Sequence, residues 1–205
     1  MAGALALALL AGCTSGSDDG GTPTTGPALS TTGSGTTSAA PSSSAPPPLV
    51  LPDSCAAMLP LTELDAALGT GLPGSVSYVR GQPIPDIGRT DRITCGFGVV
   101  TGQDGAAQPA LLEISLASYS DPAAAADRVV VTTADRQTAG DRVAAASVGE
   151  LAAVALTGVS ATTLVLAEGT LTYSLTLLRA VVPDGQTVAR LVAVAEALRA
   201  QAATG

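Results

Sequence analysis

None of the 205 residues is histidine or lysine, so all nine basic side chains are arginine. Without histidine there is no Ser-His-Asp or Cys-His nucleophile system, and most transition-metal sites lose their usual ligand. Without lysine there is no Ser-Lys pair. The carboxylates remain. In "RGQPIPDIGRTD", residues 80–91, Asp86 and Asp91 lie close in sequence, with Arg89 between them and Arg92 next along. Two carboxylates can divide the work of general acid and general base. One reading of this segment is therefore the centre of a carboxylate-dependent hydrolase. The plainer reading is a solvated, salt-bridged loop. Asp18-Asp19 reads as solvated rather than calcium-binding, and Asp127/Arg128 with Asp135/Arg136 read as the wet face of a helix.

A second pattern, Gly69-Thr-Gly-Leu-Pro-Gly74, matches G-x-G-x-x-G. Dinucleotide binding needs a strand before this motif and a helix after it, so that backbone N–H groups meet a pyrophosphate. Here the order is reversed and Pro73 removes one N–H, so the glycines read as a helix stop and a turn.

The elements that must position these residues follow from periodicity. Pro60 opens a helix whose apolar face is Leu61, Leu64, Ala67 and Leu68, with Gly69 as its stop. Residues 75–79 and 92–100 read as strands around a Pro- and Gly-containing loop. Residues 101–109 read as a turn. In residues 110–119, Leu112, Ile114 and Leu116 alternate with Glu113 and Ser115, the period of a half-buried strand. Asp121-Pro122 then caps a helix running to about Gln137, with Ala125, Val129 and Thr132 or Thr133 facing inward. Residues 149–156, 161–167 and 170–182 read as three strands, with a hairpin turn at Glu168-Gly169. Pro183-Asp184 starts a last helix with the stripe Val188, Leu191, Val192, Ala195 and Leu198. Consecutive strands on short turns argue for antiparallel pairing, and amphipathic helices must cover the sheet. The expected class is α+β, one domain over residues 53–202, a mostly antiparallel sheet covered by about three helices.

Composition limits the partners. The net charge is −8, and the four aromatic residues are Tyr78, Phe97, Tyr119 and Tyr173. Nucleic-acid binding relies on clustered cations and stacking aromatics, so it is not expected. A bias to Ala, Gly, Val and Arg suggests a GC-rich genome.

The chain opens with an apolar run that stops at Cys13. Leu10-Ala11-Gly12-Cys13 resembles the lipobox of bacterial lipoproteins. The resemblance implies that residues 1–12 are a signal peptide, that Leu10, Ala11 and Gly12 are its peptidase recognition residues, and that Cys13 receives the lipid. The basic residues usual before such a run are missing, which places the expected true start upstream of Met1. Lipid chains contribute about 0.8 kcal/mol per buried methylene, so two or more anchor a protein stably. Residues 13–52 are rich in Ser, Thr, Gly and Pro, without helical or strand period, and read as a disordered tether.

Cys55 and Cys95 remain, one beside the first helix and one in a strand. Bridged, they would close a loop of about 40 residues, worth about 4 kcal/mol in the chain-entropy model. Two buried free thiols are the alternative, and two cysteines alone do not complete a zinc shell. "CAAMLPLTELDAALG", residues 55–69, resembles the C-x-L-L-(T)-x-x-E-L-x-x-A-L-G opening of an actinobacterial lipoprotein family of unknown function, the LprB/LprC kind. Cys95-Gly96-Phe97 resembles that family's second cysteine strand, with Phe97 where Trp is frequent. Val148-Gly149-Glu150 resembles its Gly-containing strand entry. The likeness covers about residues 53–200. It implies an envelope lipoprotein in which Cys55 and Cys95 pair, without an established activity or cofactor, and a PsbP/Mog1-like sandwich.

The expectation is therefore a non-enzymatic binding or interaction module at the extracytoplasmic face of the cell membrane, held by lipid on Cys13 and using no cofactor. Its partner would be an envelope protein, or a small apolar ligand in a pocket of Val, Leu and Ala. The alternative is the hydrolase centred on Asp86 and Asp91.

Overall fold

A computed structural model describes residues 50–179 and 181–204. The chain enters as a single helical turn, α1 (Cys55–Met58), capped by the Ser54 hydroxyl accepting the Ala57 N–H at 3.1 Å. Helix α2 (Leu61–Leu68) follows and ends at Gly69, whose φ of 74° is the left-handed conformation open to glycine. Three strands come next: β1 (Ser75–Gly81), β2 (Arg89–Val99) and β3 (Leu112–Tyr119). Helix α3 (Pro122–Thr138) then carries the chain to β4 (Arg142–Val148). The strands β5 (Leu151–Thr157), β6 (Ala161–Glu168) and β7 (Leu171–Leu178) follow, and α4 (Thr187–Thr204) closes the fold. The class is α+β, as the alternation of periods implied.

All seven strands form one antiparallel sheet in the order β1-β2-β3-β7-β6-β5-β4. The connection through α3 crosses from β3 in the interior of the sheet to β4 at the far edge, and a meander brings the chain back to β7, beside β3. The strand period of two sorts side chains between two faces. Ile93, Cys95, Phe97, Leu112, Ile114, Leu164, Leu166, Tyr173, Leu175 and Leu177 belong to one buried cluster, which also takes in Leu64 and Leu68 of α2 and Leu191, Val194, Ala195 and Leu198 of α4. On the other face α3 lies over β3, β7, β6, β5 and β4. Its anchor there is a smaller cluster of Ala125 against Ala117 and Tyr119. The result is helix, sheet, helix, with the apolar core on the α2/α4 side.

Several local expectations change. Strand β4 was not anticipated in residues 142–148: its Ala144-Ala145-Ala146 run has helix propensity and a mostly exposed pattern, and it is a strand because β5 pairs with it throughout. Strands β1 and β2 extend to Gly81 and from Arg89, so the expected loop shrinks to a short 3-10 turn, Pro85–Ile87, and its flanks. The β6–β7 turn falls at Gly169-Thr170, one residue later than expected. Strand β7 ends at Leu178, and the last helix begins at Thr187, after a 3-10 turn at Asp184–Gln186. Leu61 is 54% exposed rather than part of the inner face. Leu51 is already in the core, two residues ahead of Asp53. Strand β3 is buried on most of both faces, with Ser115 and Ala117 covered, because it lies inside the sheet.

Candidate functional site

The two carboxylates of the hydrolase reading have different environments. Asp91, in β2, accepts hydrogen bonds from the Arg80 guanidinium, through Nε at 3.3 Å and through Nη2, and from the Arg92 amide at 2.7 Å. The Arg80 contact holds its carboxyl below the usual carboxylate range. A group so stabilised as an anion is a poor general acid or base near neutral pH. Asp86 stands exposed in the 3-10 turn, and no contact among the described residues joins it to Asp91. The described residues contain no group of three or more Cys, Asp or Glu that could hold a metal ion.

Cys55 and Cys95 are bonded, with their Cα atoms 5.6 Å apart, and join α1 to β2. The glycine motif lies between α2 and β1, so it opens no helix. Gly69 is the helix stop, and Gly74 has φ of 94° in a turn where an added Cβ would lie 2.3 Å from the Val99 carbonyl oxygen. Leu10, Ala11, Gly12 and Cys13 lie outside the described residues.

The geometry brings together a different set. On the α3 face of the sheet, strand alternation places Arg92 and Thr94 of β2 across from Ala117 and Ser115 of β3, with Ser174 and Thr172 of β7 paired to the same two β3 positions. Between these and α3 lies a cavity of about 160 Å³. Arg128, Val129 and Thr132 line it from the helix; Arg89, Arg92, Ser115, Thr172 and Ser174 line it from the sheet, and exposed Glu113 stands at its edge. Arg92 Nε donates to Thr94 Oγ1 at 3.1 Å and Ser115 Oγ at 2.9 Å. Arg89 Nη2 donates to the Gln82 carbonyl at 3.0 Å, while its buried Nε has no hydrogen-bond partner among the described residues. Among the described residues, Arg80, Arg136, Arg179 and Arg199 are ion-paired. None of the three cavity arginines is.

The sequence pattern pairs Arg89 and Arg92 with the loop carboxylates and puts Arg128 on the wet face of its helix. The structure turns all three to the cavity, with Arg128 half-buried. The available signal was the polar residue at alternate positions of three separate strands (Arg92/Thr94, Glu113/Ser115, Thr172/Ser174). A purely apolar second face would have carried Val or Leu there.

A second hollow, of about 150 Å³, is apolar and lies between the first helical segments and the edge strand. Ala56, Leu59, Leu61, Val76 and Phe97 line it beside Cys55.

Among the described residues no helix is long and apolar enough to cross a membrane. No family model matches the chain, and no curated protein does. Among solved structures, the chain is similar to the crystal structure of the extracellular domain of PknH from Mycobacterium tuberculosis, at 8% sequence identity and a TM-score of 0.43, over 70% of this chain and 94% of that one.

Proposed function

We propose that this protein is a lipid-anchored envelope protein of the LprB/LprC kind, attached through Cys13. In this reading its domain is an extracytoplasmic, non-enzymatic binding module with its ligand seat in the cavity between α3 and the sheet. The cavity carries the reading. Polar groups inside a domain cost free energy unless they are satisfied, and a polar ligand would satisfy the donors that line this cavity. The Cys55–Cys95 bond fits an oxidising compartment. A tether would raise the concentration of the domain near membrane and wall partners. The carboxylate-hydrolase alternative has no comparable support, since Asp91 is engaged by Arg80.

Mass spectrometry of the protein extracted from its native membrane tests the reading. The expected result is a chain acylated at Cys13, lacking two hydrogens for the bridge, with an additional mass that leaves on denaturation. An unacylated chain starting at Met1 would overturn the anchor. An acylated chain that carries nothing, and takes up nothing from an envelope extract, would overturn the small-molecule seat in favour of a protein partner.

A further inference from the structure

We propose that the cavity under α3 is a seat for a small anion, a carboxylate or phosphate group clamped by Arg89, Arg92 and Arg128. This rests on the reading of that cavity as the binding seat and names the chemistry it selects.

The charge distribution is the first argument. The chain is acidic, with 17 carboxylate residues against nine arginines. Among the described residues four of the nine arginines are ion-paired, each outside this cavity. The three that meet at this cavity have none within ion-pair distance among the described residues. Glu113, at the edge, leaves the lining with an excess of positive charge. Gathering like charges in a partly desolvated space costs free energy that a bound anion would offset.

Preorganisation is the second. Arg92 is fixed through Nε by Thr94 and Ser115, and among the described residues its two terminal nitrogens make no hydrogen bond. Arg89 is fixed by the Gln82 carbonyl, and its buried Nε has no hydrogen-bond partner among the described residues. Arg128 comes from the opposite layer. Guanidinium groups match the planar oxygens of carboxylate and phosphate in two-pronged fashion, and holding them before binding lowers the entropic cost. The hydroxyls of Thr132, Thr172 and Ser174 supply further donors along the same lining.

Size is the third. About 160 Å³ is close to the volume of a cavity that accommodates benzene, so the seat takes a ligand, or the head of one, of about six to eight non-hydrogen atoms. Inorganic phosphate and a four-carbon dicarboxylate fit; an acyl chain does not. The small apolar ligand expected from composition matches this lining poorly, and the smaller hollow by Phe97 is the apolar one.

The test is calorimetric titration of the purified full chain with inorganic phosphate, with succinate, and with glycerol as a neutral control. The expected result is saturable one-to-one binding of at least one anion at millimolar concentration or below, weakening as salt is raised, and none of glycerol. Arg128→Gln should weaken it about ten-fold or more, and Arg89→Gln, checked for an unchanged melting profile, should do the same. Arg142→Gln, at an exposed position on β4, should leave it unchanged. Phosphate binding without succinate binding assigns a phosphate group; the converse assigns a carboxylate. No saturable binding of either anion, or equal binding by wild type and both cavity variants, overturns the inference. If the native protein instead carries a neutral or cationic molecule and neither anion binds, the anion seat falls while the binding-module reading stands.

Discussion

Glu168 sits where three elements meet. Arg199 of α4 grips its carboxylate with two nitrogens, Nη2 to Oε1 at 2.7 Å and Nε to Oε2 at 2.9 Å, and the Tyr173 hydroxyl donates to Oε2 at 3.2 Å. The Arg199 hydrogen bonds hold the Glu168 carboxyl below the usual glutamate value, while burial and the neighbouring carboxylate push the Tyr173 phenol up. The sign follows by linkage. A carboxyl whose folded pKa lies below its unfolded one contributes stability that is fully present above the unfolded value, near 4.5, and is lost as pH falls through the folded value. Arg199→Ala should cost about 1–2 kcal/mol at pH 7. That is less than a fully buried pair would lose, because the two side chains are 28% and 27% exposed. The variant and wild type should converge as urea unfolding is repeated at falling pH. A gap independent of pH would assign the loss to packing alone. Gly74 is the other residue whose chemistry is decided by its backbone. Gly74→Ala puts a methyl against the Val99 carbonyl at positive φ, and should cost more than about 1 kcal/mol in the same assay.

At the scale of elements, α3 is the crossover that makes the cavity. Its start is written locally: Asp121 Oδ1 accepts the Ala124 N–H at 2.9 Å, and Pro122 takes the first turn. That amide, with the Ser120 hydroxyl, holds the Asp121 carboxyl below its ordinary value, so the cap weakens on acidification. Asp121→Ala should lower the melting midpoint by a few degrees at neutral pH and lose that difference in acid, whereas Asp121→Asn should keep most of the cap without the pH dependence. Caps, turns and side-chain alternation are local features, which is why α2, α3, the alternation of β3 and the presence of β6 and β7 were legible in the sequence. Strand β4 was not, because Ala-rich residues at a sheet edge bury little and carry no alternation; only pairing with β5 selects their conformation.

At the scale of the whole molecule, the Cys55–Cys95 bond ties the entering chain to the sheet. It closes a separation of 40 residues. The chain-entropy model gives about 4 kcal/mol for such a loop. Reduction of the full chain should lower the urea midpoint by the equivalent of about 2–4 kcal/mol, read by comparing unfolding curves with and without reductant. An unchanged midpoint would place the stabilisation in the packing of Leu59, Leu64 and Phe97 instead. The described residues belong to one compact unit, which holds both buried clusters.

By itself the sequence determined the α+β class, the lack of His and Lys side chains, the stop of α2 at Gly69, the capped start of α3 and the alternation of β3, because all of these depend on residue type and near neighbours. Only the tertiary structure decided which faces meet. Arg89 and Arg92 on β2, Ser115 on β3, Ser174 on β7 and Arg128 on α3 are far apart along the chain, and they converge because the crossover sends β4 to the far edge and returns β7 beside β3. Strand order is set by the global burial of the apolar faces, and no local pattern encodes it.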